Sequence, residues 1–315
     1  MRIASSPADI AIRTAKTRQS LQRRPQADLP GTLFKWLLIS FTGFAIAFLG
    51  VLIVVMVNDG WSVLTGRLGG FLSNGFSQRS AQDAGVWQGI VGSVQIGIAT
   101  ALFAIPVGVA TAIYLVEYAT GGWFARTVEL NVRNLAGVPS IVYGLLGLTV
   151  FVKTLDGFTQ GKTVIAGGLT LAAMVLPIIV ITSVEALKAV PQGIREAAYG
   201  VGATKWEVLS RQILPAAVST ILTGTVLSLA RALGEAAPLI LVGAATGFIS
   251  FGDSNFLETF TGPFTALPVL IFNFARQPGE DWSANAAAAS VVILILVLMI
   301  NGAALYFRNR FEKKW

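Results

Sequence analysis

Residues 33–57 run for 25 positions with a single charge, Lys35, close to their start. At about 1.5 Å per residue, such a stretch in helical form crosses the roughly 30 Å hydrocarbon core of a bilayer. Five more apolar stretches follow, at 88–116, 134–152, 164–183, 217–245 and 286–307. The first is too long for a signal-peptide core and no small-residue cleavage site follows it, so it reads as a retained anchor. The expected fold class is therefore all-α: a polytopic membrane helix bundle with six transmembrane helices. Composition agrees, with 54% hydrophobic and only 12% charged residues, against about 25% charged in soluble domains.

The distribution of positive charge orients the bundle. With the N-terminus inside, Arg and Lys number seven in the N-terminal tail with Lys35, two at 117–133, four at 184–215 and four after the last stretch. The opposite side holds five: Arg67, Arg79, Lys153, Lys162 and Arg276. The positive-inside rule gives both termini in the cytoplasm, N-in and C-in. The net charge of +7 is thus a matter of topology, and nucleic acid is not an expected partner. Some tail cations can also touch anionic membrane lipid. The organisation expected is a cytoplasmic tail at 1–32, a first transmembrane helix at 33–57, a core of five transmembrane helices at 88–307, and a cytoplasmic tail at 308–315.

The chain has no cysteine and no histidine. Thiolate zinc sites, cysteine nucleophiles and Ser-His-Asp machinery are excluded, and no cofactor is expected. Residues 157–163 read Gly-Phe-Thr-Gln-Gly-Lys-Thr. A phosphate-binding P-loop needs four residues between its glycines, and here there are three, with Asp156 at the required position. No strand precedes the run, and it falls in a loop on the outer side, so it reads as a polar hairpin. The chain itself is not expected to be an enzyme hydrolysing ATP.

Pro106, Pro139, Pro177 and Pro238 lie within four of the stretches. Each removes a helical hydrogen bond. Such prolines serve as packing kinks or mark broken helices along a pathway, and Pro238 is the best candidate for the second. Small-residue spacing at Gly243 and Gly247 fits a helix contact.

The inner loop at 184–215 carries the most local information. Pro191 suits the first turn of a helix continuing through Tyr199. Gly200 and Gly202 permit a sharp turn. Thr204 with Glu207 three residues on forms a capping box for a second helix, ending at Pro215. An amphipathic helix–turn–helix of this kind docks into a partner's groove or rests on the membrane surface, and periodicity does not choose. The run Glu196-Ala197-Ala198, then Gly202, then Leu214-Pro215, resembles the EAA loop of bacterial ABC-importer permeases, with Gln212 where that family usually has Ile. The resemblance implies coupling helices seated in ATPase subunits, with Glu196, Ala197, Ala198 and Gly202 in the coupling role.

Arg231 and Glu235 sit in the fifth stretch, in Leu-Ala-Arg-Ala-Leu-Gly-Glu-Ala-Ala-Pro. An arginine at the bilayer centre costs roughly 2.5–3.5 kcal/mol on insertion scales. Spacing of i,i+4 lets the two pair on one face. Gly234 and Pro238 flank the acid and weaken the helix beside it. The pair either fixes helix register or lines an anion pathway, in which Arg231 meets oxyanion oxygens in bidentate fashion.

Arg-x-x-Gly-Glu with Ala236-Ala237-Pro238-Leu239, together with the run 136–144 and the chain's ending, resembles phosphate-importer permeases. Of the two paired kinds it looks more like the PstA type than the PstC type. Molybdate and sulfate permeases carry a similar Arg-Ala-Leu-Gly-Glu element. The resemblance covers residue 88 onward. It implies phosphate import by alternating access across the bacterial inner membrane. It also implies a PstC-like second permease subunit, two copies of an ATP-binding subunit and an external phosphate-binding protein, which the outer loops around 58–87 and 246–285 would meet. An ATP-independent anion channel or carrier is the competing class.

Overall fold

The computed structural model describes residues 29–119, 121–244 and 258–311. The expected tail before residue 29 and residues 246–257 of the outer loop, Gly247 included, lie outside the described residues. All regular structure among the described residues is helical. Five helices are long and apolar enough to span a bilayer, or six if one sharply bent pair counts as a single span.

The first helix, α1 (Leu29–Asp59), belongs largely to a separate unit comprising residues 1–54. The remaining chain forms the second unit. Its elements are α2 (Trp61–Gly66), α3 (Leu68–Ser73), α4 (Trp87–Ile113), α5 (Trp123–Leu135), α6 (Ser140–Leu146), α7 (Asp156–Thr159), α8 (Val164–Lys188), α9 (Gln192–Gly200), α10 (Lys205–Val208), α11 (Leu214–Leu233), α12 (Ala237–Val242), α13 (Leu267–Arg276) and α14 (Glu280–Phe311). Wide π-helical turns extend α4 (Tyr114–Tyr118) and α6 (Gly147–Thr154) and precede α11 (Leu209–Ile213).

Lipid chains are as apolar as Leu, so association of these helices rests on close van der Waals contact. Glycine provides it. A methyl group on Gly168 of α8 would lie 2.4 Å from the Ala99 side chain of α4, and one on Gly108 of α4 would lie 2.7 Å from Ile179. Thr100 Oγ1 also donates to the Gly168 carbonyl at 3.3 Å. Gly224 of α11 meets Thr182 of α8 in the same way, and Gly144 of α6 meets the Pro238 backbone of α12. These contacts gather α4, α6, α8, α11 and α12 around one buried core including Ile96, Leu171, Val175, Ile179 and Leu239.

The structure redraws the bounds of the expected helices. The stretch expected at 134–152 starts later than expected, because α5 ends at Leu135 and the chain turns through 112° before Ser140. Pro139 precedes α6 with extended backbone instead of kinking a helix. Its ring excludes the α conformation from Val138, and hydropathy alone does not register that. Tyr143 Oη donates to the Leu135 carbonyl at 2.8 Å, satisfying an acceptor at the break.

The stretch expected at 217–245 is interrupted at 234–236, next to Pro238. α11 ends at Leu233, and Pro238 stands in the first turn of α12, where its missing N–H costs nothing. Gly243 has φ +100 and closes α12, with the Lys162 side chain packed where a Cβ would stand. It is a helix end, and the Gly247 half of the expected small-residue spacing lies outside the described residues. Of the other prolines, Pro106 and Pro177 do lie inside helices α4 and α8.

The segments expected on the outer side are more structured than loops. α2 packs against α14 and α3 against α4, and a largely buried ten-residue helix, α13, lies against both α4 and α14. Gly92 of α4 approaches so closely that a Cβ there would lie 2.1 Å from the Thr265 carbonyl oxygen. Ser93 Oγ accepts from the Leu267 amide at 2.9 Å, at the start of α13. Arg67 fastens the α2–α3 segment. Its guanidinium donates to the carbonyls of Ala81 at 2.6 Å, Gln82 at 2.6 Å and Ala84 at 2.9 Å, and to Asn285 Oδ1 of α14. Burial lowers its proton affinity, opposed by Asp281 and Asp83.

If glycine contact holds α4 to α8, Gly168→Val destabilises the bundle by about 1–3 kcal/mol, the range for overpacking. Gly66→Ala, where a Cβ meets nothing within 4 Å, leaves stability unchanged. Thermal unfolding of the purified protein in nanodiscs separates the two.

Candidate functional site

Two assemblies hold the residues singled out by the sequence. The first is the break at 234–236. Arg231 occupies the last turn of α11, where the helix dipole favours a cation. The helix closes with tightened bonds from Gly234 N to Arg231 O at 3.1 Å and from Glu235 N to Ala232 O at 3.2 Å. Glu235 therefore lies just beyond the helix, not midway along it. Arg231 Nε stands 4.0 Å from Glu235 Oε1, with side chains 64% and 24% exposed. That distance is an ion pair without a hydrogen bond. The guanidinium is not a buried structural cross-link.

Arg231 belongs to a stripe. The exposed positions of α11 are Thr220, Thr223, Leu227 and Arg231, spaced at three or four residues on one face. Arg308 Nη1 of α14 donates to Thr223 Oγ1 at 3.0 Å. Among the described residues, Glu235 is the one charged partner found for Arg231. A guanidinium left against lipid costs several kcal/mol, so this face demands another polar surface or an anion. The five N–H donors of Arg suit the oxygens of a phosphate-like group.

The second assembly is the loop between α8 and α11. Pro191 precedes α9, which ends at Gly200. Gly202 then turns the chain at φ +84, a conformation that L side chains rarely adopt. The capping box at α10 is complete. Thr204 N donates to Glu207 Oε2 at 2.9 Å, and the Glu207 amide donates to Thr204 Oγ1 at 3.4 Å. The second loop helix does not stop at Pro215 as expected. It runs through the π turn at Leu209–Ile213 into α11, so that residues Lys205–Leu233 form one helical rod. The wider turn accommodates a proline that has no N–H and would clash with the carbonyl four residues back.

Glu196, Ala197 and Gly202 are exposed and Ala198 is half-buried. Tyr199, Val201 and Trp206 are exposed beside them, Val201 at 87%. A separate hydrophobic cluster beneath the loop joins Ala112, Leu187, Val190, Val208, Leu209 and Ile213. Gln212 lines a cleft of about 280 Å³ under α9 with Ile194, Ala197, Ala198 and Ala216. The polar side chain at 212 thus borders an opening, not the cluster's centre.

One feature of this assembly has little trace in the sequence. Arg195 Nη1 pairs with Glu117 and its Nη2 donates to the Leu187 carbonyl at 2.9 Å, with both charged side chains largely buried. Lys205 Nζ stands 4.7 Å over the Tyr118 ring. The only signal available was that Glu117 is an acid directly after an apolar stretch.

The family model for binding-protein-dependent transport system inner membrane components matches residues 104–313. The chain belongs to this family. The match takes in both assemblies and leaves out α1. The phosphate transport system permease protein PstA 1 of Mycobacterium tuberculosis is 35% identical over 298 residues, covering 92% of this chain and 90% of that protein. The PstA protein of Yersinia pestis is 36% identical over 217 residues, 69% and 70% of the two chains. Among solved structures, a bacterial alginate ABC transporter in complex with its alginate-loaded periplasmic protein matches with TM-score 0.55 at 18% identity, over 89% of this chain and 98% of that one. The inward-facing MetNI methionine ABC transporter matches with TM-score 0.50 at 18% identity, over 72% and 94%. At such identities these two establish the shared fold. The chain is a multi-pass ABC-importer permease of the PstA type.

The loop geometry makes its own prediction. Thr204→Ala removes the cap and costs about 1 kcal/mol locally, while Gly202→Val strains the backbone at φ +84 by about 1–2 kcal/mol. Hydrogen exchange at 192–213 rises in both, and exchange in the α4–α8 core stays at its wild-type rate.

Proposed function

We propose that this permease moves inorganic phosphate into the cytoplasm across a bacterial inner membrane, with ATP hydrolysed on separate subunits. The observation that carries the reading is Arg231, exposed at a helix break and held only at 4.0 Å by Glu235. Such a pair exchanges partners readily. An incoming oxyanion replaces the carboxylate at the guanidinium, and Glu235 reclaims it when the anion leaves. The charge balance suits this, because a loose pair keeps an empty pathway close to neutral and loses little when phosphate enters. The phosphate systems named for the M. tuberculosis and Y. pestis relatives support phosphate over molybdate or sulfate.

The rest of the machine follows from what this chain lacks and exposes. The face of α11 carrying Arg231 is completed by a second permease subunit of the PstC kind, which makes the pathway the seam of a heterodimer. The loop with Glu196, Ala197, Ala198 and Gly202, and its exposed Tyr199, Val201 and Trp206, seats in one of two ATP-binding subunits. The outer segment of α2, α3 and α13 receives a phosphate-loaded binding protein. ATP-driven closure of the ATPases alternates access at the break, where Gly234 and Pro238 free the chain from continuous helix.

Uptake of radiolabelled phosphate by cells lacking their own phosphate permeases tests this. Arg231→Ala lowers uptake at least tenfold, Arg231→Lys less severely, and Glu196→Lys abolishes it by disrupting ATPase seating. Excess unlabelled sulfate or molybdate leaves wild-type uptake intact. Normal uptake in both Arg231→Ala and Glu196→Lys refutes the site assignments.

A further inference from the structure

The loop 189–204 is joined covalently to α8 and α11 alone, yet the structure binds it to a third helix. Glu117 takes the Arg195 guanidinium, whose other arm rests on the Leu187 carbonyl at the end of α8. Tyr118 takes the Lys205 ammonium on its ring face at 4.7 Å. Both partners lie in the π turn Tyr114–Tyr118 that ends the second span, and Ala112 of the same span enters the cluster under the loop. Arg195 and Glu196 are neighbours with opposite fates, one turned inward onto α4 and one exposed.

α4 is also an unbroken helix over Trp87–Ile113, about 40 Å long at 1.5 Å per residue. Its far end carries the outer segment. Ser93 Oγ accepts from the first amide of α13, Gln95 Nε2 donates to Thr259, and Gly92 meets the Thr265 backbone. Among the described helices, α4 thus holds the loop at one end and the outer segment at the other. A loop hinged only on α8 and α11 would reach α4 indirectly, through the glycine contacts between α4 and α8. With the Arg195 clamp closed, α4 must follow.

We propose that Glu117 and Arg195 are positioning residues that make α4 the push-rod of this importer. They convert displacement of the α9 helix into displacement of the outer segment at 258–276. Tyr118 and Lys205 act beside them as a weaker second tie. The proposal rests on the reading that α9 engages an ATPase and that the cargo is phosphate. The clamp contributes nothing to phosphate binding or to ATP hydrolysis, so its loss uncouples the two.

The test is the ratio of radiolabelled phosphate moved to ATP hydrolysed, measured on the assembled transporter with its binding protein in proteoliposomes. Glu117→Gln keeps the side-chain volume and removes the charge. It lowers the ratio at least fivefold while co-purification with the ATPase and half-saturating phosphate are unchanged. Glu117→Arg with Arg195→Glu recovers at least half of the wild-type ratio, and either reversal alone does not. A wild-type ratio in Glu117→Gln overturns the proposal. So does an assembled double reversal that stays as uncoupled as Glu117→Arg, and so does a Glu117→Gln complex that no longer assembles, because the pair is then a folding element. If the wild-type complex itself moves no phosphate, the functional reading fails before the clamp is tested.

Discussion

Inside hydrocarbon a peptide group finds no partner except another peptide group or a nearby polar side chain. That constraint makes every long element of this chain a helix, and it makes every interruption expensive. Where the chain does interrupt a helix, it supplies a local remedy. At Leu135 the remedy is the Tyr143 hydroxyl. At Leu233 it is a tightened last turn followed by a helix begun on proline. At Pro215 it is a π turn that continues the helix without the missing donor. The break at 234–236 also carries a charged pair with an exposed arginine, and irregular backbone at membrane depth is tolerated where it is covered by protein or lines a cavity.

Packing obeys the same solvent. The α4–α8 pair is built on glycines that let backbones touch, and glycine has no rotamers to lose when it is buried. This leaves the exposed faces free for other chemistry. α11 shows the division well. Gly224 faces α8, while Thr223, Leu227 and Arg231 face outward. One helix thus serves the chain's own core on one side and the transport reading on the other.

The sequence made the hydrophobic frame legible because hydropathy is a local property averaged over twenty residues. The loop at 184–215 was legible for a related reason. Pro191, Gly202, Thr204 and Glu207 each act within three or four positions of themselves, and the capping box stands as read. What escaped depends on distance along the chain. Arg195 and Glu117 are 78 residues apart, and no periodicity links them. The break at 136–139 escaped because apolar residues continue through a turn that hydropathy cannot see. α13 escaped because ten residues fall short of a span, and only its burial against α4 reveals it. The Arg231 pair was read from spacing as a unit on one helical face, and its looseness became visible only when the helix was found to end between the two residues.

The Arg67 cluster also bears on how the chain is made. Its carbonyl partners at 81, 82 and 84 are available as soon as that segment leaves the ribosome, but Asn285 lies 218 residues downstream of Arg67. The tie from the α2–α3 segment to α14 therefore closes only when the last helix has been made. A chain stopped before that point holds its arginine by three local carbonyls and lacks the tie to the last helix.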